Sequence, residues 1–88
     1  MSEERIPAEM FPPHHFLMEE FQARNIEQKE LAQALDISVP YVNDLLHGRR
    51  RMTIPVALKL ETAWGISAEF WLRLWLNYDL WKARQEAK

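Results

Sequence analysis

Cysteine is absent from this sequence. Without it neither a disulfide scaffold nor a zinc finger can be built, and nothing points to an oxidising compartment. Glycine occurs only twice in 88 residues, at distant positions, which excludes a glycine-rich loop cradling phosphate groups. No apolar run is long enough to span a bilayer, and the N-terminus lacks the charged-then-apolar pattern of a signal peptide. The cytoplasm is the expected location, with no membrane contact. Alternation of apolar and polar residues never persists, so no strand is expected. An excess of positive charge is missing too: 11 Lys and Arg face 13 Asp and Glu, for a net charge of −2. Many nucleic-acid binders are basic overall, so a function of that kind has to rest on local charge. His14 and His15 are neighbours and diverge by about 100° on a helix, too much to chelate one ion. No third ligand is in evidence, and no metal or other cofactor is expected. Glu19 and Glu20 fail as an acid–base couple for the same reason. With no nucleophile–base pair in view, neither an enzyme nor a small-molecule substrate is expected.

What the chain does have is a 48% apolar composition with four Trp and four Phe, which argues for one folded domain. The most telling stretch runs from Gln28 to Arg51. Leu31, Ala32 and Leu35 share one helical face. Asp36-Ile37-Ser38 breaks that pattern, and Ser38 is a good N-cap for a second helix. Val42, Leu45 and Leu46 then resume an apolar face, and Gly48 stands where a left-handed, helix-ending residue belongs. The small Ala32 lets the two helices cross closely. Two short helices, a tight turn and the triplet Arg49-Arg50-Arg51 form the layout of a DNA-binding helix-turn-helix, whose second helix enters the major groove. Much of the acid lies elsewhere, at Glu3, Glu4, Glu9, Glu19 and Glu20.

Residues 1–11 read as a flexible arm, and 12–88 as a helix-turn-helix domain with a C-terminal dimerisation helix. Pro12-Pro13 suits a helix start, and Phe16, Leu17, Glu20 and Phe21 repeat at helical spacing to about Arg24. Asn25 suits a left-handed cap, with Ile26 closing over the helix end. Counted along the whole chain, the second helix spans about Glu27 to Leu35, and the third Val39 to Leu46 or His47. Thr53 caps a fourth, with Pro55 in its first turn, Val56, Ala57, Leu60 and Ala63-Trp64 inward, and Gly65 at its end. Ser67 caps a fifth from Ala68 to near Arg84. The fold class is therefore all-α, with five helices. On the fifth helix Phe70, Trp71, Leu74, Trp75, Tyr78 and Trp81 form one broad face, and Leu72, Leu76 and Leu80 a second stripe roughly opposite. A surface helix of a monomer needs only one apolar face. Either the arm folds back over the second stripe or a second copy covers it. The second copy is preferred, with Trp71, Leu72, Trp75, Leu76 and Leu80 as the dimer contact. A two-fold pair also spaces two recognition helices about one DNA turn apart.

These pieces carry a resemblance. Glu19-Glu20-Phe21 with Ala23-Arg24, Gln28 with Leu31-Ala32, Asn43, Gly48-Arg49-Arg50, Thr53, Ala57-Leu58 and Leu60 are spread along the chain. The tail Trp64-Gly65-Ile66-Ser67-Ala68-Glu69-Phe70-Trp71-Leu72, followed by Tyr78-Asp79-Leu80, is more specific than the helix-turn-helix itself. Together, over about residues 12–81, the sequence resembles the HigA-type antitoxins, a branch of the Xre or lambda-repressor-like helix-turn-helix family. The resemblance implies a five-helix lambda-repressor-like fold and a homodimer that represses its own operon by binding double-stranded operator DNA. It also implies binding and neutralisation of a RelE-like, ribosome-dependent mRNA endonuclease toxin, with no catalysis by the antitoxin. Three positions depart from the pattern. Asp36 stands where glycine is usual, and Glu27 where Ser or Thr caps the second helix. Val39, Pro40 and Asp44 replace polar or basic residues of the recognition helix.

The candidate DNA contacts are set by this layout. Gln28, at the N-terminus of the second helix, matches the family position that bonds a phosphate. Ser38, Val39, Pro40, Tyr41, Asn43, Asp44 and His47 lie along the recognition helix. Asn43 can pair with adenine N6 and N7, Tyr41 can bond phosphate or pack on a base, and Val39 can touch a thymine methyl. Asp44 can accept from cytosine N4, but pairing with a nearby arginine is the stronger expectation. Arg49, Arg50 and Arg51 are expected on phosphates. For the toxin, the arm with Ile6, Met10 and Phe11 and the outer face of the first helix are both open. Two other readings stay open: a stand-alone Xre-type regulator or prophage repressor without a toxin, and an interaction scaffold that has lost DNA binding.

Overall fold

Helix boundaries in this chain are set by capping side chains and left-handed residues. The structure, a computed structural model, describes residues 11–87. Expectations resting on residues 1–10, including most of the arm and its Ile6 and Met10, lie outside the described residues. Among the described residues five helices run in order: α1 (Pro13–Ala23), α2 (Gln28–Leu35), α3 (Val39–Leu46), α4 (Ile54–Trp64) and α5 (Ala68–Glu86). Among the described residues there is no strand. Ser38, Thr53 and Ser67 each accept a hydrogen bond from a backbone N–H in the first turn they cap, those of Tyr41, Val56 and Phe70. Each satisfies a donor that the helix start leaves without a partner. At Glu27 the cap is assisted from the other side, because its N–H donates to Glu30 Oε1 at 3.0 Å, as in a capping box. The fifth helix continues two residues past Arg84.

Among the described residues, four take positive φ: Asn25, Asp36, Gly48 and Gly65. Asp36 fills the usual glycine position with φ +57°. The Ile37 N–H then reaches back to the Ala32 carbonyl at 3.0 Å, a left-handed helix ending that turns the chain into α3. Gly48 does the same after α3, with the Arg49 N–H on the Asp44 carbonyl at 2.8 Å. The two glycines differ in surroundings. A Cβ on Gly48 would stand 2.5 Å from His14 Nδ1, whereas one on Gly65 would meet nothing within 4 Å. Left-handed backbone costs a side chain about 1–2 kcal/mol, and only Gly48 adds a clash. Gly48→Ala is therefore expected to cost about 2–3 kcal/mol and Gly65→Ala about 1 kcal/mol, read from urea midpoints. Equal losses would show that His14 yields freely.

The core gathers Leu17 of α1, Leu31, Ala32 and Leu35 of α2, Val42, Leu45 and Leu46 of α3, Val56, Ala57 and Leu60 of α4, with Met52 between. Ala32 and Ala57 are the small residues on the faces where α2 meets its neighbours. Trp71 sits at the aromatic centre, 5.6 Å from Phe16, 6.1 Å from Trp64 and 5.8 Å from Phe70 between ring centroids. This corrects the expected dimer contact. Trp71 is 0% exposed and Trp75 5%, so both are consumed by their own protomer and cannot face a second copy. Leu72 is half-buried, while Leu76 and Leu80 stay exposed at 53% and 39%. Size explains the choice of face, since an aromatic ring buries more apolar area than any leucine. The seat that α1 and α4 leave under α5 is filled by rings.

Candidate nucleic-acid interface

The first residue of α2, Gln28, is half-buried at a helix end whose free N–H groups carry partial positive charge. Three residues, Asp36 to Ser38, separate α2 from α3. Leu31 and Leu35 bury against the same core as Val42, Leu45 and Leu46. That packing turns the opposite side of α3 outward. Ser38 Oγ accepts the Tyr41 N–H at 3.2 Å, which leaves its own O–H to donate outward. Val39 is 42% exposed, and Pro40 occupies the first turn, where its missing N–H costs nothing.

Tyr41, Asn43, Asp44, Arg49 and Arg50 form one connected cluster. Arg49 Nε donates to Asp44 Oδ1 at 3.1 Å, and its terminal nitrogen to Asn43 Oδ1 at 2.9 Å. Arg50 Nε lies 3.9 Å from Asp44 Oδ2, with its guanidinium 4.2 Å above the centre of the Tyr41 ring. The expected pairing of Asp44 with an arginine is thus present twice. Such exposed pairs are worth about 0–1 kcal/mol, so a phosphate can displace them. His47 Nδ1 is 2.9 Å from the Asn43 carbonyl oxygen. A carbonyl only accepts, so Nδ1 is the donor in this contact. Arg51 leaves this cluster and pairs with Asp79 of α5. No hydrogen bond ties Gln28 to the cluster among the described residues. His14, packed on Gly48, has its imidazole pKa lowered from 6.5, chiefly by burial and then by the charges of His15 and His47. It is therefore neutral at pH 7 and does not add to the arginines' charge.

The arrangement offers a polar helix face with an amide, a phenol and a thymine-sized apolar contact, bordered by guanidinium groups. Sequence reasoning missed the involvement of α1 and α5. His14 contacts the loop after α3, and Asp79 holds Arg51 from 28 residues away. Nothing local in the sequence signals either contact.

Comparison with known proteins bears directly on this geometry. The family described as Helix-turn-helix matches residues 17–71. Antitoxin HigA-1 of Vibrio cholerae is 37% identical over 75 residues, covering 81% of this chain and 70% of that protein. Among solved structures, the antitoxin GraA is 35% identical with a TM-score of 0.79, covering 86% of this chain and 83% of its own. Pseudomonas aeruginosa antitoxin HigA, solved with the higBA promoter, is 32% identical with a TM-score of 0.79, covering 86% and 84%. The chain belongs to the helix-turn-helix family and, within it, to the HigA antitoxins. No helix among the described residues is long and apolar enough to cross a membrane.

Proposed function

We propose that this protein is the antitoxin of a type II toxin–antitoxin pair, a homodimer that represses its own operon and neutralises a RelE-like mRNA endonuclease. The observation that carries the DNA half is the recognition helix itself. Val39, Tyr41 and Asn43 are accessible on α3, and Arg49 to Arg51 follow its C-terminal end after His47 and Gly48. A relative of similar fold solved with promoter DNA supports the same reading. Asn43 then reads a base edge, Gln28 and the arginines hold phosphates, and Ser38, Pro40 and His47 line the path between. The dimer half rests on the exposed stripe of α5. Leu76 and Leu72 share a shallow apolar groove with Ile54 of α4, which is 63% exposed; Leu80 extends it by one turn.

Co-expression with the neighbouring reading frame tests the toxin half. Restored growth together with a co-purifying complex supports it; unrelieved toxicity, or no toxin gene beside this one, leaves a stand-alone regulator. Asp44 supplies a separate check of the DNA half. It holds two arginines and adds a negative charge to the DNA face. Asp44→Asn is expected to strengthen binding to any duplex by about 1 kcal/mol, about fivefold, measured by fluorescence anisotropy on a random sequence. Unchanged affinity would mean that phosphates do not reach Arg49 and Arg50.

A further inference from the structure

Beside the recognition helix, a cavity of about 290 Å³ opens between the start of α1, the loop after α3 and the middle of α5. Arg49, Arg50, Arg51 and Lys82 line it, with Asp79 as the one carboxylate among the described residues. Four cations against Asp79 in the lining and Asp44 behind Arg49 and Arg50 leave a local charge of +2 among the described residues, in a chain whose net charge is −2. Trp75 and Tyr78 supply aromatic walls, and Pro12 and Pro13 rigid ones. Three segments far apart in sequence therefore converge on one positive hollow. Lys82 is the telling member. Its ammonium stands 5.8 Å from the centre of the Tyr78 ring, and it has no ion pair among the described residues. Arg51, by contrast, is held in place by Asp79, and Arg49 reaches from the cavity wall to Asn43 and Asp44 on the recognition helix.

We propose that this cavity is a phosphate site, filled by a backbone phosphate of bound DNA, and that Lys82 of α5 is a DNA contact. The inference rests on the DNA-binding reading of α3 and extends the footprint beyond residues 17–71, the part matched to the helix-turn-helix family. The chemistry is that of a phosphate monoanion: fixed guanidinium donors on one side, a mobile ammonium on the other. Continuity selects the source. Arg49 and Arg50 border both the recognition helix and the cavity, so a strand leaving the major groove passes over it.

The test has two arms on the full-length protein. In the first, operator binding is measured against salt for wild type, Lys82→Gln and Lys82→Arg. Each phosphate contact contributes about 0.9 to the slope of log K against log salt. Lys82→Gln is expected to flatten the slope by about that amount per protomer, and Lys82→Arg to restore it. In the second, inorganic phosphate is titrated without DNA while the Trp75 indole and Lys82 resonances are followed by NMR. Saturable shifts in wild type that Lys82→Gln abolishes, with an unchanged salt slope, support a phosphate site filled by a free phosphorylated ligand. No slope change and no saturable shift would overturn the proposal. Failure of the wild type to bind its own promoter would sink the DNA reading, and the NMR arm would still decide whether the cavity takes phosphate.

Discussion

Replacing Leu76 and Leu80 together with glutamate is expected to yield a folded monomer that no longer holds its operator. Both side chains are exposed in the protomer, so the change removes nothing from the core. In a two-fold contact each leucine appears twice. Leu76 and Leu80 still expose 53% and 39% of their surface, so four leucines with about half their area left to bury supply about 3–6 kcal/mol of gross driving force, and charges in their place repel across the axis. Loss of dimerisation then costs DNA affinity indirectly. The second half-site is bound at an effective concentration in the millimolar range, an advantage of about 10²–10⁴-fold that a monomer forgoes. Sedimentation equilibrium should report one copy, circular dichroism an intact helical spectrum, and anisotropy a loss within that range. A variant that still sediments as a dimer would place the contact elsewhere and leave the stripe to another cover. Trp71 and Trp75 serve as the contrast. Their truncation should unfold the protomer, because each is closed inside it.

The second large effect concerns Arg49 and Arg50. Converting both to alanine is expected to weaken binding to specific and random duplexes alike, by about a hundredfold or more if each charge-assisted bond contributes about 1.5–3 kcal/mol. The salt slope should fall by about 1.8 per protomer, two contacts at about 0.9 each. Asn43→Ala should behave differently, lowering affinity for the operator more than for random DNA, because amide pairing with a base edge is what distinguishes sequences. The double variant also frees Asp44 and Asn43 from their arginine partners. The two effects therefore have to be compared at matched salt. An unchanged slope would remove the arginines from the phosphate backbone.

How much of this was legible in the sequence depends on the range of the interaction. Caps and turns are local, and Ser38, Thr53, Ser67, Asp36 and Gly48 each do what their chemistry and position imply. The pairing of Asp44 with the arginines was also legible, since the partners lie within one loop of each other. Which face of α5 meets the core was not. Phe70, Trp71, Leu74 and Trp75 make a helical face as convincing as Leu72, Leu76 and Leu80. Periodicity gives two stripes without saying which neighbour each meets. The packing of α1 and α4 settles it, by leaving a seat that Trp71 fills against Phe16 and Trp64. Lys82 was invisible for the same reason. A lysine near the end of a polar helical tail looks solvated until the fold brings the loop after α3 beside it.

Two protomers to a site, each with α3 and its arginines along the promoter of the gene encoding this chain, would leave a distinctive mark on that DNA. A footprint of the purified protein on that promoter, with a competing random duplex of equal length, is the most direct measurement. Protection of a two-fold symmetric segment with two copies bound, at least about a thousandfold tighter than the competitor, is the expected result. Equal affinity for both duplexes, or no protection at low salt, would contradict it.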